Sequence, residues 1–444
     1  MLDSICYKIT ALDDQKKNYL VTQNTPHSIY KHSKCDNPKV SVVVPVYKVD
    51  KYLTQCLNSV VNQTLEELEI IIVDEGDQDR CREIIDFFEK HDPRIIAPHQ
   101  KNGGYGASCN LGIDMARGEY IAIVESDDWI EPEMCEEMYA YAKALNADVV
   151  KTPYSEYFSN GSKHDCHYRN YVTEACPNNQ CFSVKEFGAL MEVHASLWSG
   201  IYKTSYMRQN NIRFIQAKGG AYVDVGFRID TLIHTDRCAW LNKPFYNYRV
   251  DAEGSTTNNF KLGPMIQRWT EEHEMFSKCQ ENYDKYFGPH IIVDEYYNTV
   301  GWLSLMSATN EEFAQIQRNM DYVNESVIIT SPALSDTQKK ELLLFKKNPR
   351  RFKCLAAKKR FQHKYGRSIL AVLERLCHPF LLLYFLACFL ATFFIRGQGN
   401  TAVLVEGRIW DLAVKAMQLV GIFGIMLCCL GKITRKIIQF IFDR

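Results

Sequence analysis

The sequence has no paired Cys-x-x-Cys spacing, no excess of either charge, no Gly-Lys-Ser/Thr phosphate loop and no apolar leader at its start. Sixteen cysteines are scattered through apolar and helical stretches, so neither a zinc site nor a disulfide framework is expected, and free thiols in a reducing compartment are the simplest reading. A net charge of −1 argues against the chain as a whole being a nucleic-acid binder, whose footprint is usually a basic face. The opening MLDSICYKITALDDQKK lacks the apolar core of a signal peptide. Acidic residues are missing altogether between Lys346 and Arg367, which leaves a basic block suited to a solvated or surface-binding face.

What is present divides into four stretches. Residues 1–38 are mixed and polar, an extension ending at Asn37-Pro38. From residue 39 to 260 short apolar runs alternate with helical stripes. Val40 to Val44 reads as a doubly buried strand, and Leu53, Cys56, Leu57, Val60 and Val61 as a helix face. A strand at Glu69 to Val73, a helix around Cys81 to Phe88, a weak strand at Ile95 and Ile96, and a helix from Gly106 to Arg117 follow. Such alternation predicts an α/β domain with a mostly parallel central sheet. Residues 261–345 carry a helical stripe of Ile266, Trp269, His273, Phe276, Tyr283 and Phe287, read as a helical appendage with Ser335-Asp336 capping its last helix. Residues 346–444 hold the basic block and apolar segments.

The most informative stretch is YIAIVESDDWI, Tyr120 to Ile130. An apolar strand runs directly into Glu125, Asp127 and Asp128, and carboxylates this close repel unless a cation shares their charge. A metal at the carboxyl end of a strand is one reading, because ligands of open α/β sheets bind at that edge. The other is an acidic turn in which Asp128 and Pro132 start the following helix. The glycines of Asn102 to Gly106 form either a tight turn or a close backbone approach to a nucleotide.

The run VSVVVPVYKVDKYLTQCLNSVVNQTLEELEIIIVDEGDQD, followed by KNGGYGASCNLGIDMARGEYIAIVESDDWI, resembles the opening half of a glycosyltransferase family 2 enzyme of the bacterial surface-polysaccharide type. The resemblance implies an inverting GT-A fold and a nucleotide-sugar donor, a UDP-sugar foremost. Donor contacts fall on Pro45, Val46 and Tyr47, on Asp74 and Glu75, on Asn102, Gly103 and Gly104, and on Glu125 and Ser126. Asp127 falls where the family binds Mn²⁺ or Mg²⁺, with Asp128 beside it. Asp224 falls on the general base, with a helix N-cap as the alternative reading of the same residue. Trp198 in HASLWSGIY lines the acceptor side in the family, while its composition suits a core residue. Arg249 and Ser255 fall on a loop over the phosphates, and His234 is a weaker metal candidate. Three places depart from the family pattern: Asp74-Glu75-Gly76-Asp77 stands where Asp-Asp-Gly-Ser is common, Glu125 where aspartate is usual, and Cys109 where arginine is frequent.

Leu376 to Ile395 is long and apolar enough to cross a bilayer, and Ala416 to Leu430 is a shorter apolar stretch followed by Lys432, Arg435 and Lys436. Basic residues beside these segments predict attachment to the cell membrane with the catalytic domain on the cytoplasmic side, by a hairpin or by interfacial helices. That location favours a lipid-linked or surface glycan precursor as acceptor. Two other functions fit parts of the sequence: a degenerate, membrane-tethered transferase domain serving as a scaffold, and a nucleotidyltransferase.

Overall fold

The computed structural model describes residues 35–76, 80–166, 174–217, 222–252, 262–277, 279–301, 303, 307–357 and 359, together with the backbone of Leu20 and Val21. Residues up to Thr299 together with Ala308–Lys347 form one compact unit, so the sheet and most of the helical region pack as one body. Val300, Gly301, Leu303, Ser307 and the described residues from Asn348 onward belong to a second. Within the latter, 349–357 is helical and buries Phe352 and Ala356.

In the first unit, Leu20–Val21 (β1) precedes Val40–Val46 (β2), and Asp50–Val61 (α1) leads to Leu68–Asp74 (β3). Cys81–His91 (α2), Ile95–Ile96 (β4), His99–Gln100 (β5), Tyr105–Met115 (α3) and Tyr120–Ile123 (β6) follow. Every residue of β2, β3 and β6 is buried, as strands with helices on both faces must be. β2 pairs in parallel with both β3 and β6, with Val43 between Ile71 and Ile123. Each such fully buried side chain contributes about 1.5–3 kcal/mol relative to exposure. α3 can approach β2 closely because Gly112 has no Cβ: one built there would lie 2.3 Å from Val43 Cγ1.

The chain then changes sheet. Trp129–Ile130 (β7) belongs to a second, smaller sheet, reached from β6 through the acidic turn Glu125–Asp128. After Met134–Leu145 (α4) come Val149–Lys151 (β8), Tyr154–Tyr157 (β9), Lys163–Cys166 (β10) and Gly200–Lys203 (β11). Thr204–Gln209 (α5), Val223–Ile233 (α6), Cys238–Trp240 (β12) and Tyr246–Arg249 (β13) complete the α/β part. The main sheet runs β1-β5-β3-β2-β6-β11-β8-β12 with β4 beside β3, and the smaller one β10-β9-β13-β7. The main sheet is mostly parallel, with one exception: β11 runs antiparallel between β6 and β8. The sequence pattern does not announce the second sheet, because its strands are short and carry polar residues such as Lys163, His164 and Asp165.

Leu262–Ser277 (α7), Gly288–Tyr296 (α8), Asn310–Tyr322 (α9), Glu325–Thr330 (α10) and Asp336–Lys347 (α11) form the helical part. The expected stripe is its core: Ile266, Trp269, His273, Phe276, Tyr283 and Phe287 are all buried. Ser335 precedes α11, with its Oγ accepting from the Gln338 amide and its amide donating to Gln338 Oε1.

Among the described residues no helix is long and apolar enough to cross a membrane. Leu376–Ile395 and Ala416–Leu430 lie outside the described residues, as do Ser255 and the glycines preceding Asp224.

Candidate active site

Because β2, β3 and β6 are in register, their carboxyl ends reach the same edge, and the loops leaving them form one side of a cavity of about 530 Å³. Pro45, Val46 and Tyr47 come from the end of β2, Glu75 from that of β3, and Glu125, Ser126, Asp127 and Asp128 from that of β6. Asn102 and Gly104 enter from the loop before α3. Gly104 has φ +91, a conformation that side chains with a Cβ resist, so glycine is required for this turn. Asn102 Oδ1 accepts from the Gly104 amide at 3.0 Å. Glu75 Oε1 accepts from Gln100 Nε2 at 2.8 Å and the Gly103 amide at 3.1 Å, tying the β3 end to the glycine loop.

The opposite side comes from sequence far downstream: His194, Trp198, Tyr222, Val223, Asp224 and Tyr248. Asp224 is the second residue of α6, in its first turn, where the amides of Asp224 and Val225 favour the ionised carboxylate. The N-cap position belongs to Tyr222, so the N-cap reading of Asp224 does not hold. Trp198 is both core and wall: it lies 6% exposed, stacked on Tyr246 at 4.2 Å and Tyr248 at 5.3 Å, with Tyr154 edge-on at 4.7 Å.

The acidic turn is held by a frame of hydrogen bonds. Asp128 Oδ1 accepts from the Arg249 amide at 2.7 Å and Oδ2 from the Tyr246 hydroxyl at 2.8 Å, while that hydroxyl accepts from the Glu125 amide at 3.0 Å. Asp128 is therefore committed to the scaffold, and it does not cap α4, whose N-cap is Glu133 without a side-chain bond. Arg249 supports the same turn from behind. Its Nε donates to the Asp127 carbonyl at 3.0 Å, NH2 to Gln55 Oε1 at 2.7 Å, and its guanidinium lies 4.7 Å from the Tyr52 ring and 5.1 Å from that of Trp129. It does not line the cavity. Asp74 is also set back: its buried carboxylate accepts from the Gly76 amide and faces His99 and Arg82. His234 bonds to Asp230 at 3.0 Å and lines a separate cavity of about 390 Å³.

Five carboxylates thus line one cavity: Glu75, Glu125, Asp127, Asp128 and Asp224. Burial pushes Glu125 up to about 8, with the charges of Asp127 and Asp224 adding to the shift against the Tyr105 hydrogen bond. Burial likewise raises Asp127 and Asp224, opposed by Arg249 and Arg228 respectively and by backbone amides. A cation would relieve this arrangement. Among the described residues no three His, Cys, Asp or Glu side chains form a closed cage. Mg²⁺ and Mn²⁺ do not require one, since one carboxylate plus diphosphate oxygens and water suffices for Mg²⁺-type sites. Asp127, which lines the cavity and among the described residues is hydrogen-bonded to no other side chain, fits that role.

Residues 41–191 match the model of the glycosyl transferase family 2 domain. Over that stretch the chain is similar to a family 2 glycosyl transferase domain. GlyG of Streptococcus pneumoniae, a glycosyltransferase, is 40% identical over 155 residues, covering 35% of this chain and 48% of its own length. GlyA of the same organism is 30% identical over 241 residues, 53% of this chain and 32% of its own. The chain thus spans half or less of these curated relatives. The crystal structure of S. aureus TarS residues 1–349 shares the fold at a TM-score of 0.55 and 20% identity, covering 74% of this chain and 92% of that one; another TarS structure is a complex with UDP-GlcNAc.

Around the cavity, the sequence pattern did not single out Tyr105, Ser108, His194, Tyr222 or Tyr248. Tyr105 and His194 stand inside motifs already quoted, NGGYG and HASLWSGIY, so their company was the available signal. Tyr248 offered none before β13 was seen to pass under Trp198.

Proposed function

We propose that the chain is an inverting glycosyltransferase that moves a sugar from a nucleotide-sugar, a UDP-sugar foremost, to a hydroxyl of a glycan precursor. The observation that carries this reading is that one cavity gathers, on one side, the ends of three parallel strands within the stretch that matches the family 2 model and, on the other, Asp224 from beyond that stretch. A nucleoside diphosphate would lie against Pro45, Tyr47, Glu75 and Glu125, which places the sugar between them and Asp224. The UDP-GlcNAc complex of TarS supports the choice of uridine.

In the transfer, the hydroxyl oxygen of the acceptor forms a bond to the anomeric carbon as the bond to the diphosphate breaks on the opposite face, through an oxocarbenium-like state. Asp224 takes the hydroxyl proton, a task its burial suits because a raised pKa brings a carboxylate closer to the working pH. Mn²⁺ or Mg²⁺ held by Asp127 and the diphosphate oxygens would supply positive charge to the leaving group. Trp198 and Tyr248 shape the acceptor side, and the Arg249 frame holds Asp127 in place.

The basic block and Leu376–Ile395 support attachment to the cytoplasmic face of the cell membrane, where lipid-linked or surface glycan precursors are the acceptors at hand. Nucleotide release by the full chain, with a panel of nucleotide-sugars and with Mn²⁺, Mg²⁺ or chelator, tests the reading. Chelator-sensitive release from one donor is expected; absence of both release and donor binding across the panel would favour the scaffold.

A further inference from the structure

Two of the positions that set this sequence apart, Glu125 and Cys109, meet in space at a third residue, Tyr105. Tyr105 is the first residue of α3, directly after the left-handed Gly104. Its hydroxyl donates to Glu125 Oε1 at 2.5 Å. One helical turn on, the buried Cys109 thiol lies against the same hydroxyl, so a small side chain there leaves the space the phenol occupies. The Tyr105 ring is edge-on to Phe214 at 5.7 Å, which fixes its direction. Both Tyr105 and Glu125 line the cavity. Among the described residues no other side chain hydrogen-bonds the Glu125 carboxylate.

A glutamate has one more rotatable bond than an aspartate, and an unheld carboxylate at the end of it loses conformational entropy when a ligand fixes it. A donor on one oxygen removes that freedom beforehand and leaves the second oxygen as an acceptor for a ligand hydroxyl. We infer that Tyr105 is a positioning residue that presets Glu125 to accept hydrogen bonds from the ribose hydroxyls of the donor nucleotide, and so sets the preference for ribo- over 2′-deoxyribonucleotides. This rests on the donor reading above.

The test is calorimetric binding of UDP and of 2′-deoxy-UDP, with Mn²⁺, to the full chain and to Tyr105→Phe, Glu125→Asp and the double variant; GDP and CDP with their 2′-deoxy forms replace UDP if it is not bound. The wild type is expected to prefer the ribonucleotide by about tenfold, the upper end of what one net hydrogen bond contributes. That preference should fall to within about twofold in each single variant. The double variant should lose no more than either single one, because the two residues act as a unit. A purely structural Tyr105 would weaken both nucleotides equally, and equal losses overturn the inference, as do additive losses in the double variant. No nucleotide bound by the wild type would instead overturn the donor reading, and this inference with it.

Discussion

The two sides of the cavity are built differently. Pro45, Val46, Glu75 and Glu125 to Asp128 reach it from the ends of three neighbouring parallel strands, within about ninety residues of chain. His194, Trp198, Tyr222, Asp224 and Tyr248 reach it from a loop, the start of α6 and a strand of the smaller sheet. The first side is rigid because the sheet is its foundation, with its strands buried on both faces. The second depends on packing between separate elements, such as Trp198 on Tyr246 and Tyr248. The acidic turn joins them: it leaves β6 in one sheet and is bolted by Tyr246 and Arg249 of the other. A site assembled this way can keep its first side constant while its second side changes.

If the two sides do separate jobs, they can be broken separately. Asp224→Asn should lower turnover by about 10³-fold, within the range of general-base catalysis, while titrated donor affinity stays within about threefold. In the wild type, turnover should fall as pH is lowered, with a midpoint above the ordinary aspartate value of about 4, because burial raises the Asp224 pKa. That acidic limb should be missing from the residual activity of the asparagine variant. A variant that loses donor binding as well would show that the two sides are not independent.

Asp127→Ala should act on the other side. Its expected effect is a loss of about 10²-fold in affinity for UDP measured with Mn²⁺, an effect that chelator reproduces in the wild type. Equal UDP affinity with and without the metal would remove Asp127 from metal binding.

The smallest expected effect contrasts the cavity with the helical part, which also buries carboxylates. Glu295 is held up at about 8 by burial, against the hydrogen bond from the Tyr283 hydroxyl, with Asp294 adding to the shift. A carboxyl whose folded pKa exceeds its unfolded value binds its proton more tightly when folded, so stability falls as pH rises from about 4.5 to about 8. Glu295→Gln, which keeps an acceptor for Tyr283, should flatten that decline, raising Tm near pH 8 by about 2 to 4 °C for each kcal/mol recovered. Turnover at neutral pH should be unchanged, since Glu295 does not line the cavity.

Much of the first side was legible in order along the chain. Apolar runs ending in PVYKVD, DEGDQD and ESDD mark buried strands and the edge where their loops gather, because side-chain burial and strand direction are local consequences of residue type. Asp224 was legible by resemblance, and its alternative reading as a helix cap falls away because Tyr222 takes that place in a left-handed conformation. Asp128 and Arg249 were visible as residues but not as a frame. Their partners lie about 120 positions apart in sequence, and no local pattern encodes such a pairing.

By itself the sequence determined the parallel core, the acidic turn at its carboxyl edge, the helical stripe of residues 261–345 and the apolar segments beyond it, all of which follow from periodicity and composition. Tertiary structure alone decided that the chain crosses to a second sheet at Glu125–Asp128, that Asp128 is bound to the scaffold while Asp127 faces the cavity, and that Tyr105 holds Glu125. Those outcomes depend on which distant groups can satisfy a buried carboxylate, and burial makes that satisfaction compulsory.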